Sequence, residues 1–395
     1  APEPFTTGLA QTSKWDGKDD FSKPAVGGPF KVLVRAGMGV KYGRILGGSP
    51  YTGVLSTGAP ADSIAIAPDG TLYLKLASLV PQLHSAIPWQ LRRFDKTGKY
   101  EKTIIPYAPS TDPAKTTGYE LINTGDNILT PSQNSPLDIV LFKFGNNIYN
   151  KVVDNSVVFI DNETAKLTFF KIDGSNAAKT ILMRTGPEKL KWASWLSPQI
   201  AFSPDGKYAY YSGVANTPYD GKKPEDTDPN FPQGRIYRQD LTAHRSNPEK
   251  FFDIELPDWE KTKYWLPSAW DKKTAASGIT VDAKGNIYVC DLVNQEVVEI
   301  SPEGKKLSSA KVPWPDKVMV NSKTGDLYVV STQVSRGFRP PSILMKVSGR
   351  GESAKVEAKL GLTNALGTTL ALDETGKEPV LWIGGGGELV RVIDK

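Results

Sequence analysis

The sequence predicts an all-β fold, a single closed β-propeller in which each blade contains four antiparallel strands. Five segments of the chain repeat one order: an alternating apolar strand, a short polar turn with Gly, and a second alternating strand. The composition agrees, because 36 Gly, 30 Pro and 10% aromatic residues supply many turns and many side chains that favour strands. One β unit repeated along a chain is typical of propeller blades.

The five repeats are predicted β-hairpins, since period-2 alternation surrounds a tight turn such as Pro-Asp-Gly or Lys-Gly-Asn. In chain order they are Ser63–Leu74, Gln199–Tyr211, Gly278–Val289, Lys317–Val330 and Thr368–Ile383. A third strand follows most of them, as at Leu91–Gly98, Gln295–Gly304 and Glu388–Asp394. A β-sandwich with similar turns is the alternative, but five copies in one order favour a propeller.

The number of blades depends on the interval between Gly70 and Gly206, which is longer than one blade. Leu137–Phe144 and Asn155–Ile160 indicate one blade start in this interval, and Glu120–Leu129 indicates a second. Seven blades are therefore preferred over six.

The predicted domain boundary separates an extended N-terminal segment, residues 1–29, from the propeller, residues 30–395. Phe30–Arg35 alternates like a strand but has no hairpin partner. We expect this strand to pair with the C-terminal blade, because closing the ring in this way removes a free sheet edge.

Charge and cysteine content exclude several classes of protein. The net charge of +5 arises from interspersed signs without a basic stripe, so we expect no nucleic-acid partner. No apolar run reaches the roughly 18–20 residues of a membrane span. Cys290 is the only cysteine and lies in an alternating strand, where it is expected to be a small buried hydrophobe. The chain has no Cys-x-x-Cys-His motif, so covalently bound haem is excluded.

The first residue suggests export. The chain begins at Ala1 without Met, as after removal of a signal peptide, whose cleavage site favours small residues. A periplasmic or secreted protein is therefore expected, and an N-terminus left by cloning is the alternative.

Two motifs, Ile200–Lys207 and Gly278–Ile300, resemble NHL-type propeller repeats and are similar to those of gluconolactonase-like and strictosidine-synthase-like propellers. The resemblance covers residues 61–395 and implies the fold more than an activity. For lactonases it implies a divalent ion on the axis, held by Glu, Asn and Asp, that activates water. Here Ser197–Gln199 and Tyr211–Gly213 stand at the ligand positions, and Asp291 lacks companions. An Asp that ends such a strand more commonly accepts backbone hydrogen bonds from the following turn.

The candidate metal ligands are Asp226, Asp228 and Asn230, whose oxygens have the alternating spacing that opens a calcium loop. The segment departs from an EF-hand, since Phe231 replaces the turn glycine and Tyr237 the bidentate Glu. A solvated polar loop is the alternative. If the protein binds a cation we expect Ca²⁺ here, and we expect no ion bound through His84 or His244.

The candidate partner-binding residues are aromatic and lie in one long segment, Arg245–Trp270. They are Phe251, Phe252, Trp259, Tyr264, Trp265 and Trp270. Leaving so much aromatic surface in water is unfavourable, so the segment must pack on its own propeller or bind a partner. Aromatic anchors are common in protein interfaces, and we expect docking, with packing on the propeller as the alternative.

Two functions follow from these observations. The first is an exported, non-catalytic propeller subunit or interaction scaffold that docks to the other subunits of a larger complex through aromatic loops. In size, expected export and long loop, the chain resembles the haem-free propeller subunits of exported redox complexes, such as the beta subunits of hydrazine synthases. The alternative is a metal-dependent lactonase-like hydrolase. We predict no catalytic or cofactor-binding residue, so catalysis by the chain alone is not expected.

Overall fold

The computed structural model describes the chain in separate stretches, and every structural statement below concerns these. They are residues 17, 24, 26–28, 40–46, 61–76, 90–105, 111–112, 121–123, 129–131, 138–142, 146–148, 151–153, 156–160, 166–171, 183–184, 199–213, 234–243, 248–255, 275–333, 341–362, 369–385 and 388–394. The chain divides into two compact units, Ala1–Gly37 and Met38–Lys395. The predicted boundary lies after residue 29. All strands described below belong to the second unit.

Five four-stranded antiparallel sheets are described, and each is named after its innermost strand. The β2 blade contains β2 (Ala61–Ile66), β3 (Leu72–Leu76), β4 (Gln90–Phe94) and β5 (Tyr100–Ile105). The β14 blade contains β14 (Gln199–Phe202), β15 (Tyr208–Ser212), β16 (Arg235–Asp240) and β17 (Glu249–Asp253). The β18 blade contains β18 (Ala276–Val281), β19 (Ile287–Asp291), β20 (Glu296–Ile300) and β21 (Lys306–Lys311).

The remaining two of these sheets end the chain. The β22 blade contains β22 (Pro315–Val320), β23 (Leu327–Ser331), β24 (Ile343–Ser348) and β25 (Lys355–Gly361), with a short 3-10 helix at Gly351–Ser353. The β26 blade contains β26 (Thr369–Asp373), β27 (Val380–Gly385), β28 (Glu388–Asp394) and, at its outer edge, β1 (Val40–Leu46).

The chain between the β2 and β14 blades forms shorter strands, described as backbone. One four-stranded sheet, the β8 sheet, contains β8 (Asp138–Phe142), β11 (Ser156–Ile160), β12 (Lys166–Lys171) and β13 (Met183–Arg184). Two hairpins stand apart from it: β6 (Leu121–Asn123) with β7 (Leu129–Pro131), and β9 (Asn146–Ile148) with β10 (Lys151–Val153). The innermost strands contact one another in the order β2, β8, β14, β18, β22, β26 and again β2.

These sheets confirm an all-β propeller whose blades contain four antiparallel strands. The five predicted hairpins are present as the β2–β3, β14–β15, β18–β19, β22–β23 and β26–β27 pairs. The preference for seven blades, with six as the alternative, is not confirmed: five blades are described in full and the β8 sheet as backbone alone. The segment Glu120–Leu129 was counted as a blade start, but β6 and β7 have three residues each and, among the described strands, pair only with each other.

The strand that completes the last blade is β1, which pairs antiparallel with β28 from Val40–Asp394 to Leu46–Leu389. We expected a strand near the N-terminus to pair with the C-terminal blade, as β1 does. The expected strand was residues 30–35, which lie outside the described residues. The register shifts between Tyr42 and Arg44, so Gly43 forms a bulge. This bulge interrupts the alternation from which strands are predicted, so β1 itself was not predicted. The strand at residues 30–35 stays a prediction.

Buried aromatic residues occupy a repeated position, the second residue of the second strand in three blades and the third residue in β15 and β27. They are Tyr73, Tyr210, Tyr288, Tyr328 and Trp382, each no more than 4% exposed. Apolar clusters fill the spaces between neighbouring blades around these rings. In one such space Tyr328 OH and Lys346 Nζ, from the β22 blade, donate hydrogen bonds of 2.5 and 2.6 Å to Asp394 Oδ2 in β28. Neighbouring blades are therefore joined by apolar packing and, in this space, by a buried ion pair.

Within the described stretches of the chain, no helix has the length and apolar character needed to cross a membrane.

Candidate functional site

Polar side chains are buried at the end of the propeller where the inner strands begin, called the leading end below. They come from first and second strands, and none is more than 9% exposed: Ser63, Lys75, Ser212, Ser277, Asp291, Asp316, Lys317, Ser331 and Thr369. Three inner strands, β2, β18 and β22, carry a register shift at the same place, within their first four residues. Bulges redirect side chains and are common beside functional sites.

The inner strands β18 and β22 approach one another closely at these bulges. A Cβ added at Gly278 would lie 2.7 Å from Asp316 O and 2.8 Å from Lys317 Cα, so only glycine fits without a shift of backbone. The neighbouring Ser277 Oγ donates to Pro315 O at 3.2 Å, and Ser212 Oγ of the previous blade donates to Ser277 O. Three blades are thus linked at their leading ends.

The turn after β19 is fixed by the carboxylate that ends the strand. Asp291 Oδ1 accepts the backbone N–H groups of Val293 and Asn294 at 3.0 and 2.8 Å. Gln295 ends the turn with φ of 53°, a left-handed conformation that few non-glycine residues adopt. The expectation that this aspartate accepts hydrogen bonds from the following turn is confirmed. Residues Asp291–Gln295 are called the clasp below.

The clasp also holds both ends of a long connection between blades. Asn294 Nδ2 donates to Glu255 O at 2.6 Å and to Asp291 Oδ2 at 2.7 Å, and Leu292 N–H donates to Ala275 O at 2.9 Å. Glu255 and Ala275 are the described residues on either side of residues 256–274, which are called the insertion below. The equivalent connection from β21 to β22 needs only residues 312–314. The insertion is therefore additional to what joining two blades requires.

Burial controls the charge of the clasp. Asp291 is 1% exposed, and burial raises its pKa to about 6, against the hydrogen bonds from Asn294 and Val293, which lower it. Burial alone would also raise the pKa of Glu296, but hydrogen bonds from Lys311, Lys306 and Ser309 outweigh burial and hold that pKa below its usual range. Glu296 stays charged beside Asp291 and contributes to the raised pKa of Asp291.

Two of the predicted partner-binding residues belong to the propeller itself. Phe251 and Phe252 lie in β17, half-buried against the apolar cluster between the β14 and β18 blades. The ring of Phe251 lies 5.0 Å from that of Tyr210, edge to face, and the Arg238 guanidinium lies 5.3 Å from it. Phe251 and Phe252 therefore bury their rings against the propeller itself, which is the alternative to docking given above. The other four, Trp259, Tyr264, Trp265 and Trp270, lie outside the described residues, and docking through them stays a prediction.

The predicted loop Arg245–Trp270 accordingly begins later than expected. β17 pairs with β16 from Arg238–Glu249 to Arg235–Asp253, and the Arg235 Nε to Asp253 Oδ1 distance is 2.8 Å. The strand was not predicted across Phe251 and Phe252, because the regular alternation is interrupted where the pairing register shifts beside them, between Ile236 and Tyr237.

The predicted metal ligands Asp226, Asp228 and Asn230 lie outside the described residues, as do His84 and His244, so the calcium site stays a prediction. Across the described stretches, no group of three or more His, Cys, Asp or Glu side chains is placed to hold a metal ion. Cys290 is fully buried in the apolar cluster between the β18 and β22 blades, as a small hydrophobe would be.

Comparisons with known proteins add a fold likeness. No protein-family model and no curated protein sequence matches the chain, so membership of the NHL or gluconolactonase-like families is not confirmed. Among solved structures, a selenomethionine-substituted virginiamycin B lyase from Staphylococcus aureus is similar at 11% identity and a TM-score of 0.46, over 85% of this chain and 95% of that one. A catalytically inactive variant of that lyase with quinupristin is similar at 11% identity and a TM-score of 0.48, over 89% and 98%. Likeness at this level carries no activity over to this chain.

Proposed function

We propose that the protein is an exported, non-catalytic propeller subunit that docks to protein partners through the insertion, residues 256–274. The observation that carries the proposal is the clasp, one turn that hydrogen-bonds to the residues at both ends of the insertion. Three residues, 312–314, are sufficient to join the β18 blade to the β22 blade. The much longer insertion is therefore not needed merely to connect two blades.

A fixed base favours binding by a loop. Closing and ordering a flexible segment costs conformational entropy, and that cost is subtracted from the free energy of binding. The clasp already holds the residues at both ends of the insertion in the free protein. The entropy cost of fixing these ends is therefore not subtracted again when a partner binds. Its rigidity comes from buried contacts, because Asp291 accepts three hydrogen bonds and the neighbouring Ser277 links β18 to β22.

The proposed anchors are the large aromatic residues of the insertion, chiefly Trp259 and Trp265. Tryptophan and tyrosine are enriched among residues whose loss costs an interface about 2 kcal/mol or more. Trp also requires an acceptor for its indole N–H when buried, so the partner surface should offer apolar pockets with a polar atom at their base. The proposed partners are the other subunits of a larger exported complex, of the haem-containing redox type to which hydrazine synthases belong.

A double variant with Trp259→Ala and Trp265→Ala tests the proposal. We expect the isolated protein to keep its melting temperature, while affinity for the partner subunits of the source organism falls by about 2 kcal/mol or more. The measurement combines native mass spectrometry of the source complex with titration of the purified partner. Tyr100→Ala is the control, because Tyr100 is an aromatic residue that is 44% exposed on a strand far along the chain from the insertion. Destabilisation of the isolated variant by several kcal/mol would show instead that the two tryptophans pack on their own propeller.

A further inference from the structure

Two buried carboxylates stand opposite one another at the leading end of the β18 blade. Asp291, which ends β19, pairs directly with Glu296, which begins β20. Both side chains lie on the face that packs against the β14 blade, because they alternate with Val289 and Val298 of the apolar cluster there. The two residues are 1% and 5% exposed. Like charges at directly opposite positions are unfavourable, so a proton on one of the two carboxylates relieves the repulsion.

The partners of the two carboxylates differ, and this difference decides which one takes the proton. Glu296 forms salt bridges of 2.9 and 2.8 Å with Lys306 and Lys311, which hold it in the charged form. Asp291 has no salt bridge among the described residues, and its three hydrogen bonds come from neutral N–H groups of the clasp. Asp291 is therefore the carboxylate that takes up a proton first.

The neighbouring elements that the structure describes bring Asp291 no counter-charge. The strand β18 has no titratable side chain, and the exposed Glu255 contacts the clasp through its backbone carbonyl group. The charged side chains of the β14 blade pair with one another, Arg235 and Lys250 with Asp253, and Arg238 with Glu249. Those at the start of β22, Asp316 and Lys317, lie beyond Gly278 of β18. Burial therefore raises the pKa of Asp291 to about 6, and Glu296 adds to the rise.

Asn294 connects this carboxylate to the β14 blade through one nitrogen atom. Its Nδ2 donates one hydrogen to Asp291 Oδ2 at 2.7 Å and the other to Glu255 O at 2.6 Å. Asp291 Oδ1 already accepts two backbone N–H groups, so a proton binds at Oδ2, where the donor is a movable side chain. A protonated Oδ2 is itself a donor, and it faces an N–H of Asn294. A half-turn of the amide removes this conflict but places Asn294 Oδ1 opposite the Glu255 carbonyl oxygen.

We propose that the clasp is a proton-controlled link between the β14 and β18 blades. With Asp291 charged, Asn294 holds the chain just after β17 at Glu255, and one proton from solvent on Asp291 Oδ2 turns the amide and breaks that bond. Because the Asn294 donor favours the charged carboxylate, the bond to Glu255 is present above about pH 6 and is lost as the pH falls through 6. The link operates in the isolated chain, whether or not the insertion binds a partner.

The direct test follows the side-chain amide signals of Asn294 by NMR of the full chain from pH 5 to pH 8. We expect these signals to move with a midpoint near pH 6. Asp291→Asn places a permanent N–H donor at the position of Oδ2, since its remaining oxygen is needed by the backbone N–H groups, and should give the low-pH signals at every pH. If Asp291→Asn does not fold, Glu296→Gln, which removes the opposing charge, should lower the midpoint. Amide signals of Asn294 that stay constant across this pH range in the native protein would overturn the proposal.

Asp282→Asn is the matched control. Asp282 fixes the turn after β18 in the same way, at the opposite end of the blade: its Oδ1 accepts the backbone N–H of Asn286 at 2.8 Å and its Oδ2 accepts Asn286 Nδ2 at 3.2 Å. This variant should leave the titration of the Asn294 amide unchanged, and a shift as large as that in Asp291→Asn would contradict the assignment.

Urea denaturation gives a second readout of the same link. The loss of stability in Asn294→Ala should be about twofold larger, or more, at pH 7.5 than at pH 5, because the high-pH form loses two bonds, one of them to a charged group. An equal loss at both pH values would show that the proton does not control the bond.

Discussion

Replacing Asn294 by Ala tests the clasp, because this side chain joins the end of β17 to the turn after β19. Asn294 Nδ2 donates to Glu255 O at 2.6 Å and to Asp291 Oδ2 at 2.7 Å. The backbone N–H of Asn294 bonds to Asp291 Oδ1 at 2.8 Å and needs no side chain. Asn294→Ala therefore removes two hydrogen bonds and leaves the turn itself in place.

The two lost bonds differ in their cost. Glu255 is exposed, so water can replace the donor at its carbonyl group at little cost. Asp291 is 1% exposed, and its Oδ2 loses a donor that water cannot easily replace, which costs about 1–3 kcal/mol. We expect the free energy of unfolding to fall by about 2 kcal/mol.

Urea denaturation measures this fall, and limited proteolysis measures whether the insertion is held. Asn294→Ala should speed cleavage within residues 256–274 relative to the native protein. Asn286→Ala is the matched control, since Asn286 Nδ2 bonds to Asp282 Oδ2 at 3.2 Å in the same blade but at the opposite end. It should leave cleavage of the insertion unchanged. Equal stability and equal cleavage in Asn294→Ala and the native protein would refute the role of the clasp.

Three further predictions concern packing and charge. Gly278→Ala forces β18 away from β22 and should lower the free energy of unfolding by about 1–3 kcal/mol in urea denaturation, whereas Gly361→Ala, with open space around its Cα, should not. Because the folded pKa of Asp291 is raised from 3.8 to about 6, its contribution to stability is present below pH 3.8 and is lost as the pH rises through 6. The stability of the native protein relative to Asp291→Asn should therefore fall by up to about 3 kcal/mol between pH 4 and pH 7, and a flat difference would contradict the assignment. Asp394→Ala removes the nearer carboxylate of the buried Lys346, leaves it the Asp326 carboxylate at 3.5 Å, and should cost about 3 kcal/mol. A thermal melt close to that of the native protein would show that the pair of Lys346 with Asp394 does not stabilise the fold.

Local pattern was sufficient to predict the hairpins, because each combines strict alternation with a turn that only a few residues can form. Ser63–Leu74 is an example: Gly70 has a φ of 84°, and Asp69 Oδ1 accepts the N–H of Thr71 at 2.9 Å. Bulges gave no comparable signal. Gly43 in β1 and the register shift beside Phe252 each broke the alternation, so neither of these two strands was predicted.

The candidate site was only partly predictable, since its contacts join distant parts of the chain. Asp291 could be predicted to fix a turn, because the strand before it and the polar residues after it are local features. The bond from Asn294 to Glu255 spans 39 residues, and no periodicity predicts it.

Hydrogen–deuterium exchange on the complex isolated from the source organism, compared with the isolated subunit, tests the docking proposal most directly. The account predicts strong protection of residues 256–274 in the complex, with little change at the outer strands such as β5. Exchange in the insertion that is equally fast in both samples, with protection confined to another part of the propeller, would contradict it.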